Sequence, residues 1–358
     1  MRRILMMPDY RSDNPYQQLL ADGLLEQGKQ VKFPKGYRRV LPVTRASLDH
    51  APIDVLHLHW PGPYLKGQTW AVKVVYAVKL LVDLFCVRQQ GIRIVWTVHN
   101  KVSHDTDVPE LELWVRRGVA RLADRLIVHD EATRREVAKT YRIPAAKIHV
   151  IPHGHYRDVY GDSVPKAEAR EALDVPQMGR VFLNFGMLRP YKGIETLLDV
   201  WPVYQRDHPA DTLLIAGKPA DLEYEEALRS QVQACPNAIL EARFIPDEDV
   251  HLYFSAADVM VLPFRQITTS GSMLLAMSYG TPIIAPRMAS LEKTLQPATD
   301  LLYEEENLLS TLRRSQHVNI EALAQKTKEA CDRLSWDRIS GQTWGVYAEA
   351  AQKELVSA

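Results

Sequence analysis

The sequence predicts an α/β protein made of two doubly wound, Rossmann-like domains that face each other across a cleft. Short apolar runs alternate with helix-length segments throughout the 358 residues. The alternation pauses once, between about Gly154 and Gly179, where the chain is polar and contains several prolines and glycines. The halves on either side of that pause show the same pattern. Strands that alternate with helices are typical of parallel sheets covered on both faces.

The composition is that of an ordinary globular protein, with 46% hydrophobic and 25% charged residues. Lys+Arg and Asp+Glu both total 44, so there is no basic excess of the kind that nucleic-acid binding usually needs. The three cysteines, Cys86, Cys235 and Cys331, are far apart, which disfavours a disulfide framework or a zinc site and favours a reducing cytoplasm. No apolar run is long enough for a transmembrane helix, and the N-terminal run Ile4–Met7 is too short for a signal peptide, so we expect neither.

The predicted strands are short and strongly apolar. In order, they are Ile4–Met7, Val55–Leu58, Ile92–His99, Arg125–Val128, Ile148–Ile151, Val181–Phe185, Thr212–Ala216, Ala242–Phe244, Val259–Leu262 and Pro282–Ile284. We expect an N-terminal domain over residues 1–160, a linker, and a C-terminal domain over residues 175–337. A last helix, at about residues 338–356, is expected to pack back on the first domain.

The first site candidate follows strand Val181–Phe185, where the sequence reads Gly186-Met187-Leu188-Arg189-Pro190-Tyr191-Lys192-Gly193. Ligands of doubly wound sheets bind beyond the carboxyl ends of the strands. An arginine offers a planar fork to phosphate oxygens and a lysine adds a point charge. We therefore predict that Arg189 and Lys192 hold a diphosphate and stabilise it as it leaves. A solvated basic turn is the alternative.

A second candidate is the run Thr268-Thr269-Ser270-Gly271-Ser272, which precedes a predicted helix. A turn of this kind offers free N–H groups and hydroxyls to an anion. An ordinary helix cap made by Ser270 or Ser272 is the alternative. Together with Arg189 and Lys192, this run is a candidate second wall of one phosphate site.

The C-terminal half resembles the donor domain of GT-B glycosyltransferases, most of all family 4 (group 1). The segments that carry the resemblance are NFGMLRPYKGIETLL, LLIAGKP, RFIPDEDVHLYFSAADVMVLPF, SGSMLLAMSYGTPIIAP and SWDRISGQTWGVYAEA, with IPHG at Ile151–Gly154 between the domains. An ordered series is more specific than any single motif. The resemblance implies a hexosyltransferase with a nucleotide-sugar donor, such as GDP-mannose or a UDP-hexose, and no metal or other cofactor. It also implies that Phe244 and Ile245 lie near the base.

The family usually carries two glutamates, eight positions apart, around the helix after Ser270. The corresponding positions here are Ile267 and Leu275, which cannot hydrogen-bond a sugar or a ribose. Retention of anomeric configuration, typical of the family, is therefore left open against inversion. A nucleotide-sugar epimerase and a catalytically silent sugar-binding partner are the alternative functions.

In the N-terminal half, His99 follows strand Ile92–Val98, and the resemblance places a histidine that contacts the donor sugar there. A structural histidine is the alternative. An inverting reaction needs a base to deprotonate the acceptor hydroxyl, and Asp105 and Asp107 are the candidates, followed by Asp9. His153, in IPHGHY, is either a donor contact or a packed linker residue.

The loops after the first two strands, PDYRSDNPYQ and HLHWPGPYL, are predicted to bind the acceptor. Their candidate contacts are Asp9, Asn14, Tyr16, His59 and Trp60, with Trp60 stacking on a sugar. No third ligand accompanies His57 and His59 at a spacing that suits a metal.

Helix Thr69–Gln90 is unusually apolar. At 100° per residue Lys66, Lys73 and Arg88 fall within about 60° of one another. The aromatic residues Trp70, Tyr76 and Phe85 accompany them. A basic, aromatic helix of this kind is typical of proteins that touch an anionic membrane, and a core helix is the alternative. The expected acceptor is a carbohydrate or a lipid-linked saccharide, and the expected location is the cytoplasm, either free or peripheral on the inner face of the membrane.

Overall fold

A computed structural model describes residues 3–37, 40–62, 69–99, 108–265, 270–304 and 307–352. The chain divides into two compact units. Met1–Gly154 and Ser335–Ala358 form the first unit, and His155–Leu334 form the second.

The first unit is built on a six-stranded parallel sheet of order β2-β1-β3-β4-β5-β6. Its elements are β1 (Arg3–Met7), α1 (Tyr16–Glu26), β2 (Gln30–Lys32), α2 (Pro42–Asp49), β3 (Val55–Leu58), α3 (Trp70–Gln89), β4 (Arg93–Thr97), α4 (Pro109–Leu122), β5 (Arg125–Val128), α5 (Glu131–Tyr141) and β6 (Ile148–Val150), joined at the end of the chain by a long helix, Trp336–Gln352.

Alternate strand residues of the first unit enter two separate cores, as the two-residue period of a strand requires. Leu56 and Trp96 join one core with residues of α3 and α4. Val55 and Val95 join another with residues of α1 and of the C-terminal helix, among them Tyr347. The sheet is therefore covered on both faces, as the sequence predicts.

The second unit repeats the plan with a six-stranded parallel sheet of order β12-β11-β10-β7-β8-β9. Its elements are α6 (Lys166–Ala172), β7 (Val181–Phe185), α7 (Ile194–Asp207), β8 (Thr212–Ala216), α8 (Leu222–Gln233), β9 (Ala238–Glu241), α9 (Val250–Ala256), β10 (Val259–Val261), α10 (Gly271–Tyr279), β11 (Ile283–Pro286), α11 (Ala289–Leu295), β12 (Leu302–Tyr303), α12 (Leu308–Ser315) and α13 (Ile320–Asp332); the C-terminal helix Trp336–Gln352 is α14.

One predicted strand of the second unit is wrong. The sequence predicts a strand at Ala242–Phe244, but β9 is Ala238–Glu241. All four residues of β9 are only half-buried, because β9 is an edge strand of the sheet. An edge strand needs no continuous apolar run, so its sequence signal is weak.

Most of the segment predicted to be a linker is folded as part of the second unit. The units divide at Gly154 and His155, so residues 155–160 do not belong with the first domain as expected. Helix α6 packs against α9, and buried Arg170 donates a hydrogen bond to Asp258 at 2.7 Å. Helix α14 begins at Trp336 and belongs to the first unit.

Candidate functional site

The turn after β7 contains two glycines whose backbone angles and close neighbours leave no room for a side chain. Gly186 has φ +108°, and a Cβ there would lie 2.6 Å from Ser272 Oγ and 3.1 Å from Lys192 Nζ. Gly193 has φ +70°, and a Cβ there would lie 2.1 Å from the carbonyl oxygen of Pro263. Both positions are in the left-handed region, which only glycine enters at low cost. The glycines thus let Lys192 and α10 approach the turn closely.

Lys192 is a buried cation whose amine lies at the start of α10. Its side chain is 7% exposed, and its Nζ donates to Ser272 Oγ, in the first turn of α10, at 3.3 Å. Burial, with a smaller contribution from nearby Arg189, lowers the pKa of Lys192 to about 8. In the described part of the chain no carboxylate forms an ion pair with Lys192.

The partial positive charge of a helix N-terminus adds to this field. Ser270 caps α10 by accepting a hydrogen bond from the backbone N–H of Met273 at 3.0 Å, while Gly271 is exposed and Ser272 half-buried. A cation beside a helix N-terminus is electrostatically unfavourable unless an anion lies between them. Lys192, half-buried Arg189 and the start of α10 therefore form an anion site, which we call the phosphate turn.

The other predicted donor contacts differ in their exposure to solvent. Of the two residues predicted to lie near the base, Phe244 is 66% exposed and Ile245 is buried. Leu275 is buried inside α10, so nothing polar takes the place of the second family glutamate there. Thr268, Thr269 and Ile267 lie outside the described residues.

In the first unit, histidines follow four strands that are neighbours in the sheet. His59 comes after β3, His99 after β4, His129 after β5 and His153 after β6. Because the carboxyl ends of parallel strands meet at one edge, these side chains gather there. Their rings surround Tyr16, which makes edge contacts with all four at centroid distances of 4.7–5.7 Å.

Three of these histidines form a hydrogen-bonded row. His59 Nδ1 lies 3.2 Å from His99 Nε2, and His99 Nδ1 lies 3.3 Å from His129 Nε2. His129 Nδ1 lies 3.0 Å from the carbonyl oxygen of Ile151. Both nitrogens of His99 are thus occupied, so it cannot hydrogen-bond a donor sugar, as expected of it, without breaking this row.

Burial keeps the histidine cluster neutral. It lowers the pKa of His57 and of His153 to about 3, in the second case with help from nearby His129. The pKa values of His59 and His99 are held well below the usual range by burial and then by the neighbouring histidines. The pKa of His129 is also lowered by burial, against the opposing effects of the Ile151 carbonyl and Asp130.

Helix α14 adds a second network to the same cluster. Tyr347 Oη lies 2.6 Å from His57 Nδ1, and His57 Nε2 lies 2.7 Å from Thr97 Oγ1. His153 Nδ1 donates to the carbonyl oxygen of its neighbour Gly154 at 2.7 Å, and its ring packs against Tyr16. Of the two expectations for His153, the structure places it as a packed residue of the first unit.

A cavity of about 290 Å³ opens beside the cluster. Trp60 forms part of its wall and stacks on His99, with ring centroids 4.0 Å apart and an interplanar angle of 12°. The cavity is lined by Tyr10, Asn14, His59, Trp60, Pro61, Gly62, Trp96, Thr97, His99 and Arg116. An aromatic wall with a few polar groups is typical of a carbohydrate or small-molecule site.

The predicted acceptor residues separate into cavity residues and packing residues. Asn14, His59 and Trp60 line the cavity, while Tyr16 is 1% exposed and is a packing residue rather than an open contact. Asp9 is paired with Arg11 at 2.9 Å, which lowers the pKa of its carboxyl and makes it a poor base.

Two family models match the chain in consecutive segments. A model described as glycosyltransferase family 4 matches residues 8–158, and one described as glycosyl transferases group 1 matches residues 179–328. The matches fall on the first and second units, and together they cover most of the chain.

The chain is a GT-B glycosyltransferase of the group 1, family 4 type.

Curated relatives and solved structures agree with this assignment. A GDP-mannose:glycolipid 4-beta-D-mannosyltransferase of Xanthomonas campestris pv. campestris is 29% identical over 309 residues, 84% of this chain and 81% of the relative. A D-inositol 3-phosphate glycosyltransferase of Acidothermus cellulolyticus is 25% identical over 384 residues, 97% of this chain and 81% of the relative. This glycosyltransferase therefore acts on sugar-nucleotide donors.

The fold is that of solved glycosyltransferases. HepE of Anabaena, in complex with UDP, aligns with a TM-score of 0.71 at 15% identity and covers 98% of this chain and all of its own. Sucrose-phosphate synthase of Thermosynechococcus elongatus aligns with a TM-score of 0.69 at 18% identity, covering 98% of this chain and 99% of its own. The predicted fold of two Rossmann-like domains is confirmed.

Two absences hold for the described part of this glycosyltransferase. None of its helices is both long and apolar enough to cross a membrane. No three His, Cys, Asp or Glu side chains are grouped so that they could bind a metal ion.

His129 was not among the predicted site residues, and the contact between His59, His99 and His129 was not predicted. The signal was present, because HLH, TVH, IVH and IPH each place a histidine directly after a strand. Reading the four strand ends together would have gathered these residues at one edge. Arg116 was also missed, because it is an interior position of α4, and only the fold brings it to the cavity. The candidate base Asp105 lies outside the described residues, as does Asp107.

Proposed function

We propose that this glycosyltransferase moves a hexosyl group from a nucleoside-diphosphate sugar to a lipid-linked saccharide, without a metal ion, in glycolipid or polysaccharide synthesis. The phosphate turn is the observation that carries the proposal. The donor diphosphate would bind Arg189 and Lys192, with Gly186 and the start of α10 at Ser270–Ser272 against its oxygens. These cations and the helix N-terminus would stabilise the charge that develops as the nucleotide leaves.

GDP-mannose is the first donor to test. The relative from Xanthomonas that shares 29% identity over 84% of this chain is named for that donor and for a glycolipid acceptor. The exposed ring of Phe244 is free to stack on a nucleotide base. Thr268 and Thr269 stay candidate donor contacts, and Asp105 stays a candidate base.

We further propose that the transfer inverts the anomeric centre. The name of the same relative specifies a beta-mannosyl product, and a β-product from an α-linked nucleotide sugar requires inversion. In this chain the buried side chain at the second family glutamate position is Leu275, which cannot hydrogen-bond the donor. Proton NMR of the anomeric signal of the new glycosidic bond would decide between inversion and retention.

The decisive experiment for the phosphate turn is substitution of its cations. Arg189→Ala and Lys192→Ala should each lower glycosyl transfer by about 10²–10³-fold, because each removes charge stabilisation of the leaving group. Arg229→Ala is the matched control, since Arg229 is a surface residue paired with Glu225 on α8. Near-wild-type turnover by both turn variants, with unchanged circular dichroism, would refute the assigned role.

A surface of α3 supports a location at the membrane. Val75, Val78, Val82 and Phe85 recur at intervals of three and four residues, and all are exposed, Val75 at 65% and Phe85 at 53%. Trp70, at the start of the helix, is 67% exposed. We call this row the α3 stripe. A continuous apolar surface with an aromatic anchor is typical of helices that lie in a bilayer interface.

This surface differs from the basic one that the sequence suggests. Arg88 is occupied, because its guanidinium donates to the carbonyl oxygen of Leu122 at 2.6 Å and lies 3.9 Å from Asp124. Lys66 lies outside the described residues. The proposed contact with the membrane is therefore carried by apolar side chains, with anionic lipid in a secondary role.

Vesicle binding tests the α3 stripe. The triple variant Val75→Ser, Val82→Ser, Phe85→Ser should bind phosphatidylcholine–phosphatidylglycerol vesicles at least about tenfold more weakly, since interfacial binding scales with buried apolar area. Met178→Ser with Leu222→Ser is the control, because both residues are highly exposed and belong to the second unit. Equal binding by the wild-type and triple-variant proteins would remove the membrane proposal.

A further inference from the structure

The hydrogen bonds of the three-histidine row fix which nitrogen of each ring donates and which accepts. A carbonyl oxygen only accepts, so His129 must carry its hydrogen on Nδ1 to donate to Ile151. A neutral His129 then accepts at Nε2, and His99 donates to it from Nδ1. His99 in turn accepts at Nε2, and His59 donates to it from Nδ1. All three rings are therefore Nδ1–H tautomers.

The row ends in a basic nitrogen that has no partner. With its hydrogen on Nδ1, His59 has a lone pair on Nε2, and within the described ranges that atom is buried and makes no hydrogen bond. Leaving a buried polar atom unpaired costs stability, so such an atom in a native fold is a candidate functional group. His59 also lines the cavity beside Trp60.

On the basis of the proposed function, we propose that His59 Nε2 is the base that deprotonates the acceptor hydroxyl, and that His99 and His129 move the resulting positive charge away from it. His59 has no surface exposed to solvent, so bulk water does not compete for its lone pair. Because Nε2 itself is buried, an acceptor hydroxyl seated in the cavity would meet it only once acceptor binding displaces the side chains that cover it.

The proton transfers balance along the row. As the acceptor oxygen bonds to the anomeric carbon, the bond from that carbon to the diphosphate breaks, and the nucleotide leaves with the electron pair. The acceptor O–H proton goes to His59 Nε2. The proton on His59 Nδ1 passes to His99 Nε2, and the proton on His99 Nδ1 passes to His129 Nε2. The row ends with one imidazolium, His129, and with His59 and His99 converted from Nδ1–H to Nε2–H tautomers.

The surroundings favour the charge at the far end of the row. His129 Nδ1–H stays bonded to the carbonyl of Ile151, and Asp130, the N-cap of α5, is the adjacent carboxylate that favours a cation there. His59 faces His57 and His129, whose charged forms would oppose a proton on it. The other titratable groups against the row are His153 and Tyr16. Tyr347 contacts His57 instead, and Tyr10 and Arg116 line the same cavity as His59.

The proposal also explains why His99 is occupied at both nitrogens. In this arrangement His99 and His129 are positioning residues, which fix the tautomer of His59 and receive its charge, and only His59 touches the substrate. Trp60, stacked on His99, would hold the acceptor against His59.

His59→Gln is the first test, because glutamine can donate to His99 but cannot take a proton. It should lower transfer from GDP-mannose to the glycolipid acceptor by about 10²–10⁴-fold and leave GDP binding, measured by calorimetry, unchanged. In His59→Ala, added imidazole should restore part of the rate, which a purely structural role would not allow. His57→Gln is the control for damage to the cluster, since His57 belongs to the separate network with Tyr347.

His129→Gln tests the relay itself. Without the terminal imidazole the protonated row is less stable, so the plateau rate should fall and the acid limb of the pH–rate profile should move to lower pH. Nitrogen-15 NMR of labelled histidine should show His59, His99 and His129 as Nδ1–H tautomers in the wild-type protein.

Each outcome decides between the proposals. Transfer by His59→Gln within about tenfold of the wild type, or loss of transfer in Asp105→Ala alone, would overturn the role of His59 and leave the glycosyltransferase proposal standing. Nε2–H tautomers in the row would overturn the relay. If the wild-type protein binds GDP yet transfers to no lipid-linked acceptor, the proposed function falls, and the role of His59 falls with it.

Discussion

Acidification should destabilise the first unit through its buried histidines. His57 has no exposed surface and His153 is 9% exposed, and burial lowers the pKa of each to about 3. An unfolded histidine titrates near 6.5. Between these values the unfolded chain binds a proton that the folded chain does not. The stabilisation is therefore fully present above pH 6.5 and is lost as the pH falls toward 3.

The size of the effect follows from the two pKa values. At pH 5.5 an unfolded imidazole is about 90% protonated while the folded one is neutral, which costs about 1.4 kcal/mol per histidine relative to pH 7.5. His57 and His153 together therefore account for about 2.8 kcal/mol. His59, His99 and His129 have lowered pKa values as well and act in the same direction.

Hydrogen–deuterium exchange followed by mass spectrometry can measure this loss of stability, because it reports the opening of each unit separately. Amides of β4 should lose at least about 2.8 kcal/mol of protection between pH 7.5 and 5.5, after correction for the intrinsic exchange rate. Unfolded carboxylates stay ionised in this window, so they contribute little. In His57→Asn the pH slope should fall by about 0.9 proton at pH 5.5.

A change in protection of less than about 0.5 kcal/mol over this window would contradict the prediction. That result would mean that the histidines are charged or hydrated in the folded state. The neutral row on which the role of His59 depends would then not exist.

Three further predictions concern the phosphate turn and α3. Binding of GDP should weaken as the pH rises through about 8, the pKa of Lys192, because only the protonated amine attracts the anion; pH-independent affinity from 7 to 9 in titration calorimetry would contradict this. Gly186→Ala should abolish GDP binding, since its Cβ would lie 2.6 Å from Ser272 Oγ. Gly345→Ala is the control, because Gly345 is a helical position with open space around it, and this change should stabilise the fold by roughly 0.5–1 kcal/mol in thermal unfolding. Asp83→Ala should cost about 2–3 kcal/mol in urea unfolding, because its buried carboxylate accepts from two backbone N–H groups of α2 at 2.8 Å; a loss below about 1 kcal/mol would mean that these bonds are not formed.

The sequence predicts most of the fold because the buried strands of parallel sheets are apolar throughout. Strands such as Val181–Phe185 have the same bounds in the sequence reading and in the structure. The strands it misses are β2 (Gln30–Lys32), β12 (Leu302–Tyr303) and the true position of β9. All three lie at or beside a sheet edge, where fewer neighbours are available and the apolar signal is short.

The two candidate sites differ in how far sequence could predict them. The phosphate turn is continuous in sequence from Gly186 to Gly193, so local spacing brings Arg189 and Lys192 together. The histidine row is assembled from three strand ends more than 25 residues apart, and only the strand order β3-β4-β5 makes them neighbours. The exposed side of α3 was not predictable either, because its apolar residues surround the helix, and the buried carboxylate of Asp83 against α2 fixes which side faces inward.

The two units supply different chemistry from equivalent positions. In each, the reactive side chains follow parallel strands, where free backbone groups and strand-end loops leave room for ligands. The second unit places cations there, Arg189 and Lys192, which suit a departing diphosphate but cannot accept a proton near neutral pH while they are charged. The first unit places neutral imidazoles there, which suit an acceptor hydroxyl but carry no charge to hold a phosphate. An inverting transfer needs both a base for the incoming oxygen and a cation for the outgoing one.

The two sites depend on opposite charge states. Burial keeps the histidines uncharged, while the anion expected between Lys192 and α10 would keep the Lys192 amine protonated. Because the two effects depend on opposite charge states, transfer should be fastest in the pH interval in which His59 is neutral and Lys192 is still charged, and a profile that rises steadily beyond pH 9 would contradict this division.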